Sequence, residues 1–538
     1  MYSTRRAVGF ASLTATALVA GLLAGPFVAT AAARPSSGLA DRVTAAEASR
    51  ADARAALARA QELFAPLAVQ ARAVATPVEA TMLLRDLALA APSLGRAGRQ
   101  AAHAILARPG DPTANDAWGV RSNLKACNAR LCVRWTTRGA DAPPDRDRDR
   151  DGKPNQVEFT LKVVNAVWSA EVGAMGFRPP LTDQRGSYDS ADDRFDVYLS
   201  DLPNGLYGYC TPDDTRTRRS SSYAFYDVAA YCVLDDDYAR SEFPSGTPAS
   251  NLRTTAAHEF HHAVQFGYDW TEDTWLMEST STWIEDEVYD GVNDNLQFLP
   301  YGQLKNPERP LDFGKQPTWY GNWIFLRWLS EKYGAGVVRQ IWDRVDGSRV
   351  GPDDYSTLGI ANVVSDQGAT MADVYALFAA ANQTPAARYS EGSSYSSAPR
   401  TAVPLSAAEP SSGTLSFTLN HLTSSAVRFV PDSGLGAATL NVFIDAPALA
   451  NGGRAVLVQT GSGGVTTTNL AVDAAGDGAF GSIPFDPANV TAVTVVLVNG
   501  GVKVQRSTCF ERQTVFACGG AVSLSDGEAV SVSAALGT

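Results

Sequence analysis

Three of the chain's five histidines crowd into one pentapeptide, HEFHH, where His258, Glu259, His261 and His262 sit almost side by side. Imidazoles hold transition metals, and a carboxylate beside such a metal can take a proton from water. On a helix, His258 and His262 are four residues apart, so both share one face and reach one ion. Glu259 lies about 100° around the helix from His258, close enough to touch a ligand of that ion. This is the H-E-x-x-H pattern, two zinc ligands with a glutamate as general base. Spacing alone leaves His258 with His261 open as a rival pair, because residues three apart also meet on a helix. Glu259 and His262 form an E-x-x-H pair as well, but di-iron carboxylate bundles need that pair twice, and no second copy exists here. A catalytic zinc wants a third protein ligand and one open position. The segment TEDTWLMESTSTWIEDEVYD, residues 271–290, offers Glu278, Glu285 and Glu287.

A second set of candidate ligands lies upstream, in DRDRDRDGKPNQVE, residues 145–158. A charge run of this kind is commonly just a solvated linker. Started at Asp147, however, it places Asp147, Asp149 and Asp151 at positions 1, 3 and 5 and Gly152 at position 6. Lys153 (through its carbonyl), Asn155 and Glu158 then fall at positions 7, 9 and 12. That is the oxygen-ligand layout of an EF-hand-type calcium loop. The apolar stretch FTLKVVNAVWSAEV follows as the expected helix.

These residues need elements to hold them. Asn251 is placed to cap the HEFHH helix and Gly267 to end it, and Thr271 to cap the next helix. Residues 250–345 read as mostly helical, while LCVRWTTRG and DVYLSDL read as strands. Residues 38–115 are rich in alanine and arginine and nearly free of aromatics, so they read as helical. They fit a propeptide or a helical spacer equally well. Residues 391–413 read as a Ser/Gly/Pro-rich linker. Beyond them TLNVFIDAP, RAVLVQTG and VTAVTVVLVNGG suggest an antiparallel β-sandwich over 414–538.

WLMESTSTW resembles the W-L-x-E-G-x-A-x-[WY] segment of gluzincin-type metallopeptidases, whose glutamate is the third zinc ligand. The resemblance implies Glu278 for that role, with Ser279 and Ser281 in place of the usual glycine and alanine. WYGNWIFLRWLSEKYG, residues 319–334, is similar to a downstream helix of these enzymes that carries an oxyanion-stabilising tyrosine. Tyr320 takes that position, although an aromatic at a helix start also serves simply as core. From Cys127 to Gly334 the order of motifs resembles a family of secreted bacterial zinc metalloproteases. It implies an α+β, zincin-like catalytic domain over residues 118–390, with the calcium-type loop at 147–158 and the all-β tail following.

The chain is long enough, at 538 residues with 45% hydrophobic, for two or three domains. A net charge of −12 speaks against nucleic acid or an anionic membrane as partner. Residues 1–33 carry Arg5 and Arg6, an apolar run and an alanine-rich end, as an export signal does. No later segment is apolar enough to span a membrane. Six cysteines fall into three close pairs, Cys127 with Cys132, Cys210 with Cys232 and Cys509 with Cys518, which in an exported chain read as disulfides. The expectation is therefore a secreted, zinc-dependent endopeptidase, helical over 34–117, with zinc and calcium as cofactors and a protein or peptide as substrate. Two rivals stand beside it. One is a zinc hydrolase of a non-peptide amide or ester in an envelope polymer; the other is a non-catalytic, calcium-stabilised surface-binding protein. The sandwich could contact substrate or a cell-wall glycan, or only support the catalytic domain.

Overall fold

The computed structural model describes residues 39–65, 80–115, 118, 123–181, 193–213, 219–220, 223–349, 354–503, 523 and 525–537. The signal-like residues 1–33 lie outside them, as do Cys509 and Cys518. Residues 1–48 and 49–538 form separate compact units, and among the described residues the second holds every strand and all the candidate ligands. The architecture is α+β.

Three helices come first: α1 (Leu39–Leu63), α2 (Thr81–Ala90) and α3 (Arg96–Leu106). The central body then runs β1 (Leu124–Cys127), β2 (Leu131–Trp135), α4 (Asn155–Trp168), β3 (Phe195–Ser200), β4 (Gly208–Pro212), a small β5–β6 ribbon (Arg219–Ser220, Tyr223–Ala224) and β7 (Ala230–Asp235). A helical stretch follows: α5 (Pro248–Asp269), α6 (Thr274–Tyr289), α7 (Thr318–Gly321), α8 (Trp323–Tyr333), α9 (Gly336–Arg344), α10 (Ser356–Asp366) and α11 (Met371–Ala381).

The central sheet has the order β1-β2-β3-β7-β4, with β2, β3 and β7 parallel and β1 and β4 antiparallel at its two edges. Strand residues alternate faces. Val197, Leu199, Cys232 and Leu234 pack with Val163, Val164 and Phe260 of α4 and α5. The intervening Tyr198, Tyr231 and Val233 pack with Leu84, Leu87 and Ile105 of α2 and α3. Both faces are covered, so β3 and β7 are buried at every position, as strands within covered parallel sheets are. Helices α2 and α3 thus form one layer of the body. Arg108, just after α3, anchors that layer by pairing with Asp196 (2.6 Å) and Asp213 (2.9 Å), all three buried.

The C-terminal part is a sandwich of β8 (Thr401–Leu405), β9 (Leu415–Leu419), β10 (Thr423–Pro431), β11 (Thr439–Asp445), β12 (Gly453–Gly461), β13 (Gly464–Leu470), β14 (Asp477–Pro484), β15 (Val490–Asn499) and β16 (Glu528–Gly537). One sheet is β13-β12-β15-β10-β8 and the other β14-β11-β16-β9. Two expectations need correcting here. The stretch expected as linker contains β8, and β8 pairs in parallel with β10, so the sandwich is mixed rather than wholly antiparallel. Pro404 hid this strand, yet β8 is an edge strand, where a missing N–H is tolerated. The unbroken VTVVLV run of β15 has a matching cause. Val493, Val495 and Leu497 face the sandwich core, whereas Val496 and Val498 join the core of the helical body.

Candidate metal centre

Thr247 Oγ1 accepts a hydrogen bond from Ser250 N (3.0 Å), Thr247 N donates one to Ser250 Oγ (2.7 Å), and Pro248 opens α5. Asn251 and Gly267, expected to cap and to end this helix, both lie inside it. Thr271 likewise is not the cap of α6, which Asp273 precedes. Capping competes locally, and the Thr-Pro-x-Ser arrangement satisfies the first N–H groups one turn earlier.

His258, His262 and Glu278 come together, each buried, with one donor atom apiece inside a 4.8 Å sphere of mutual distances. Nε2 of His258 lies 3.4 Å from Glu278 Oε2, and Nε2 of His262 lies 3.5 Å from Glu278 Oε1. Four ligands arranged tetrahedrally at zinc's usual bond lengths of about 2.0–2.2 Å stand about 3.3–3.6 Å apart. Each histidine–carboxylate distance falls in that range, so the three side chains lie close enough to share one ion.

The other ring nitrogens explain the orientation. His258 Nδ1 meets Glu285 Oε1 at 2.7 Å, and His262 Nδ1 meets Gln265 Oε1 at 2.8 Å. Gln265 is itself held, its amide donating to Met277 O (2.9 Å). Each imidazole is thus fixed through Nδ1 so that Nε2 is turned to the shared point, as metal-bound histidines require. The field there favours a cation. Burial opposes charge on His258, but Glu278 and Glu285 outweigh it and hold that imidazole well above its ordinary range. Burial keeps His262 well below its ordinary range, and so neutral, the form that ligates.

His261 is not at this point. It is fully buried on another face of α5, with Nδ1 2.8 Å from Glu171 Oε2 and its ring edge-on to Phe177. Burial pushes His261 down to about 3 and pushes Glu171 well above its ordinary range. Glu287 is not at the point either; it pairs with Arg327 (2.9 Å). Tyr320 is close by. It is buried on α7, with its ring 6.1 Å from that of His258 and 4.8 Å from Phe298.

Glu259 has a partner that the sequence did not suggest. Thr81 of α2 donates to Glu259 Oε2 at 2.8 Å, and the same hydroxyl accepts from Cys210 N at 2.9 Å. Cys210 stands opposite Cys232 on edge strand β4, and this outward N–H is one that a further strand would otherwise meet. Arg85, one turn along α2, donates to Glu272 O (3.1 Å) and Thr274 Oγ1 (2.9 Å). Helix α2 therefore covers both the would-be general base and the strand edge next to it.

Loop 147–158 is folded around its first residue. Asp147 accepts from Arg150 N (2.6 Å) and Gly152 N (2.9 Å), and Gly152 takes φ +87°, which suits glycine. Donor oxygens of Asp147, Asp149 and Asp151 gather within 4.8 Å of one another. Desolvation, and after it the charges of Asp149, Asp151 and Asp147, raise Glu158 above its ordinary range. Lys153 pairs with Asp151, and Asn155 accepts from Arg148 N (3.1 Å).

Of the three expected disulfides, the structure forms two, Cys127 to Cys132 and Cys210 to Cys232. The third pairing, of Cys509 and Cys518, falls outside the described residues, so no disulfide is assigned to Cys509 or to Cys518. Among the described residues no helix is long and apolar enough to cross a membrane.

No family model and no curated protein matches the chain. A crystal structure of a periplasmic lysozyme inhibitor of g-type lysozyme from Aeromonas hydrophila aligns over 26% of this chain and 96% of its own, at 15% identity. Its TM-score is 0.14, too low to carry anything about fold or function.

Proposed function

We propose that the protein is a secreted zinc-dependent endopeptidase, built on a zincin-like body and resembling the secreted bacterial metalloproteases of gluzincin type. The observation that carries this is the convergence of His258 Nε2, His262 Nε2 and the Glu278 carboxylate, with Glu259 one residue from the first histidine. A five-stranded sheet with an antiparallel edge strand beside the HEFHH helix supports the same conclusion. The export-signal pattern read in residues 1–33 and the two disulfides support a location outside the cytoplasm.

In this role His258, His262 and Glu278 hold the ion, while Glu285 and Gln265 fix the two imidazoles. Bound zinc supplies Lewis acidity, polarising a substrate carbonyl and acidifying water. Glu259 takes the proton of the attacking water and passes it to the departing amine. Tyr320 is the donor placed to stabilise the developing oxyanion. Loop 147–158 holds calcium and secures the start of α4. Residues 34–117 act as a propeptide whose helix α2 keeps the enzyme latent: Thr81 engages the base and Cys210 N–H, so neither is available until α2 leaves.

The test is cleavage of casein by the zinc-loaded protein, before and after limited proteolysis to remove the N-terminal helices. Activity that rises on removal, disappears with a chelator and is lost in Glu259→Gln at equal zinc content is expected. Cleavage undiminished in Glu259→Gln overturns the proposal. Hydrolysis of amide or ester polymers without any cleavage of protein would transfer the same machinery to a non-peptide substrate.

A further inference from the structure

We infer that Gly208, the first residue of edge strand β4, is a positioning residue for Glu259: it places no side chain between the strand and α5, and so lets the carboxylate reach its working position. The inference rests on the reading of Glu259 as the base. Strand residues alternate faces, so Gly208 shares the α5 face of β4 with Cys210. Across the ladder Gly208 stands opposite Leu234, and Cys210 opposite Cys232. Gly208 is buried, and its φ lies outside the left-handed region, so the backbone conformation does not demand a glycine. Space does. A Cβ at this position would stand 2.8 Å from Thr255 Cγ2, 3.0 Å from Leu234 Cδ2 and 3.1 Å from Glu259 Cγ. Thr255 and Glu259 are one turn apart on α5, so both rest on the bare backbone of the strand.

The neighbours decide what would yield to a methyl group there. Thr255 is β-branched and its hydroxyl bonds Tyr238, so it is held. Leu234 is buried on β7 within the main core. The strand cannot retreat either. Although β4 is outermost in the sheet, the Cys210–Cys232 disulfide ties it to β7, and Cys210 Sγ lies 2.8 Å from Glu259 O on the backbone of α5. Glu259 Cγ is left. It belongs to a side chain that changes rotamer readily, and any turn there carries the carboxylate away. None of the three nearest atoms belongs to His258, His262 or Glu278. A methyl group at position 208 therefore displaces the base and leaves the metal ligands in place. Misplacing a reacting group by about 1 Å can cost about 100-fold in rate.

The test uses full-length, zinc-loaded chains that all carry Thr81→Val, so that the hydroxyl contact to Glu259 is absent from every arm. Gly208→Ala should keep its zinc and an unchanged KM for casein, while kcat falls about 100-fold. Adding Thr255→Ser removes the colliding methyl and keeps the hydroxyl, and should restore most of that loss. Crystal structures of the same chains supply a readout that needs no activity. They should show the Glu259 carboxylate displaced by about 1 Å or more in Gly208→Ala, with His258, His262 and Glu278 unmoved. An unmoved Glu259 overturns the inference, and so does an unchanged kcat. A Gly208→Ala chain that fails to fold or to hold zinc also overturns it, because the glycine then serves the fold as a whole. A displaced Glu259 in chains whose Thr81→Val parent cleaves no casein upholds the positioning and overturns the peptidase reading instead.

Discussion

The contact between Thr81 and Glu259 gives a prediction whose size follows from its geometry. Thr81→Val keeps the shape of the side chain and removes the hydroxyl. Two hydrogen bonds vanish, one to the carboxylate of Glu259 and one from Cys210 N. A bond to a charged group contributes about 1.5–3 kcal/mol and a neutral one about 0.5–1.5 kcal/mol. The position with α2 docked therefore loses roughly 2–4 kcal/mol relative to the position with α2 displaced. At about 1.4 kcal/mol per factor of ten, the displaced population could rise more than tenfold. The increase has a ceiling, because Arg85 and the packing of Leu84 and Leu87 still hold α2. The assay is the initial rate of casein cleavage by full-length chains at equal zinc content. Thr81→Val should cleave about ten times faster than wild type or more, whereas Thr81→Ser, which keeps the hydroxyl, should stay close to wild type. If Thr81→Val is no faster, or slower, then Thr81 is a permanent part of the site and α2 is not a latch.

Other consequences arise from the same contacts. Glu285→Gln removes the carboxylate that orients His258, so zinc affinity, read by competition with a chromogenic chelator, should fall about 10–100-fold; Glu287→Gln should leave it unchanged. His261→Phe should keep zinc bound but strand buried Glu171, lowering stability by about 1–3 kcal/mol in denaturant melts. His421 sits between Asp312 (3.0 Å) and Asp526 (2.6 Å), joining the sandwich to the helical body. Burial opposes its charge, yet Asp312 and Asp526 raise it to about 9. A raised histidine stabilises the folded state fully below its unfolded value near 6.5 and loses that contribution as pH rises through about 9. His421→Gln should therefore cost about 3 kcal/mol near pH 6 and little above pH 9, as read from melting temperature against pH. A deficit that is the same at both ends of the range would show that the charge is not what matters.

Much of the metal centre was legible because it is local. H-E-x-x-H puts the histidines and a carboxylate on neighbouring faces by helical spacing alone, and the structure brings Glu278, sixteen residues after His262, to the point that His258 and His262 share. Spacing could not choose between His261 and His262; the choice depends on which face of α5 meets α6 and which meets Glu171. Gln265 was readable in principle, standing three residues after His262 on the same helix, but a glutamine there carries no distinctive signal. Thr81 was not readable, because its partners lie 129 and 178 residues away and nothing near it in sequence marks it. The cap of α5 was missed for a simpler reason. Asn251 is a good cap by residue type, but Pro248 at the first helical position already marked Thr247 as the residue before the helix. Strand β8 was hidden by a proline that only an edge position permits.

The most direct measurement is the zinc content of purified wild-type protein beside Glu278→Ala, by elemental analysis after dialysis. One zinc per wild-type chain and a large loss in Glu278→Ala are predicted. A wild-type chain that holds no zinc after incubation with the metal, or a Glu278→Ala chain that holds it as tightly as wild type, would contradict the assignment.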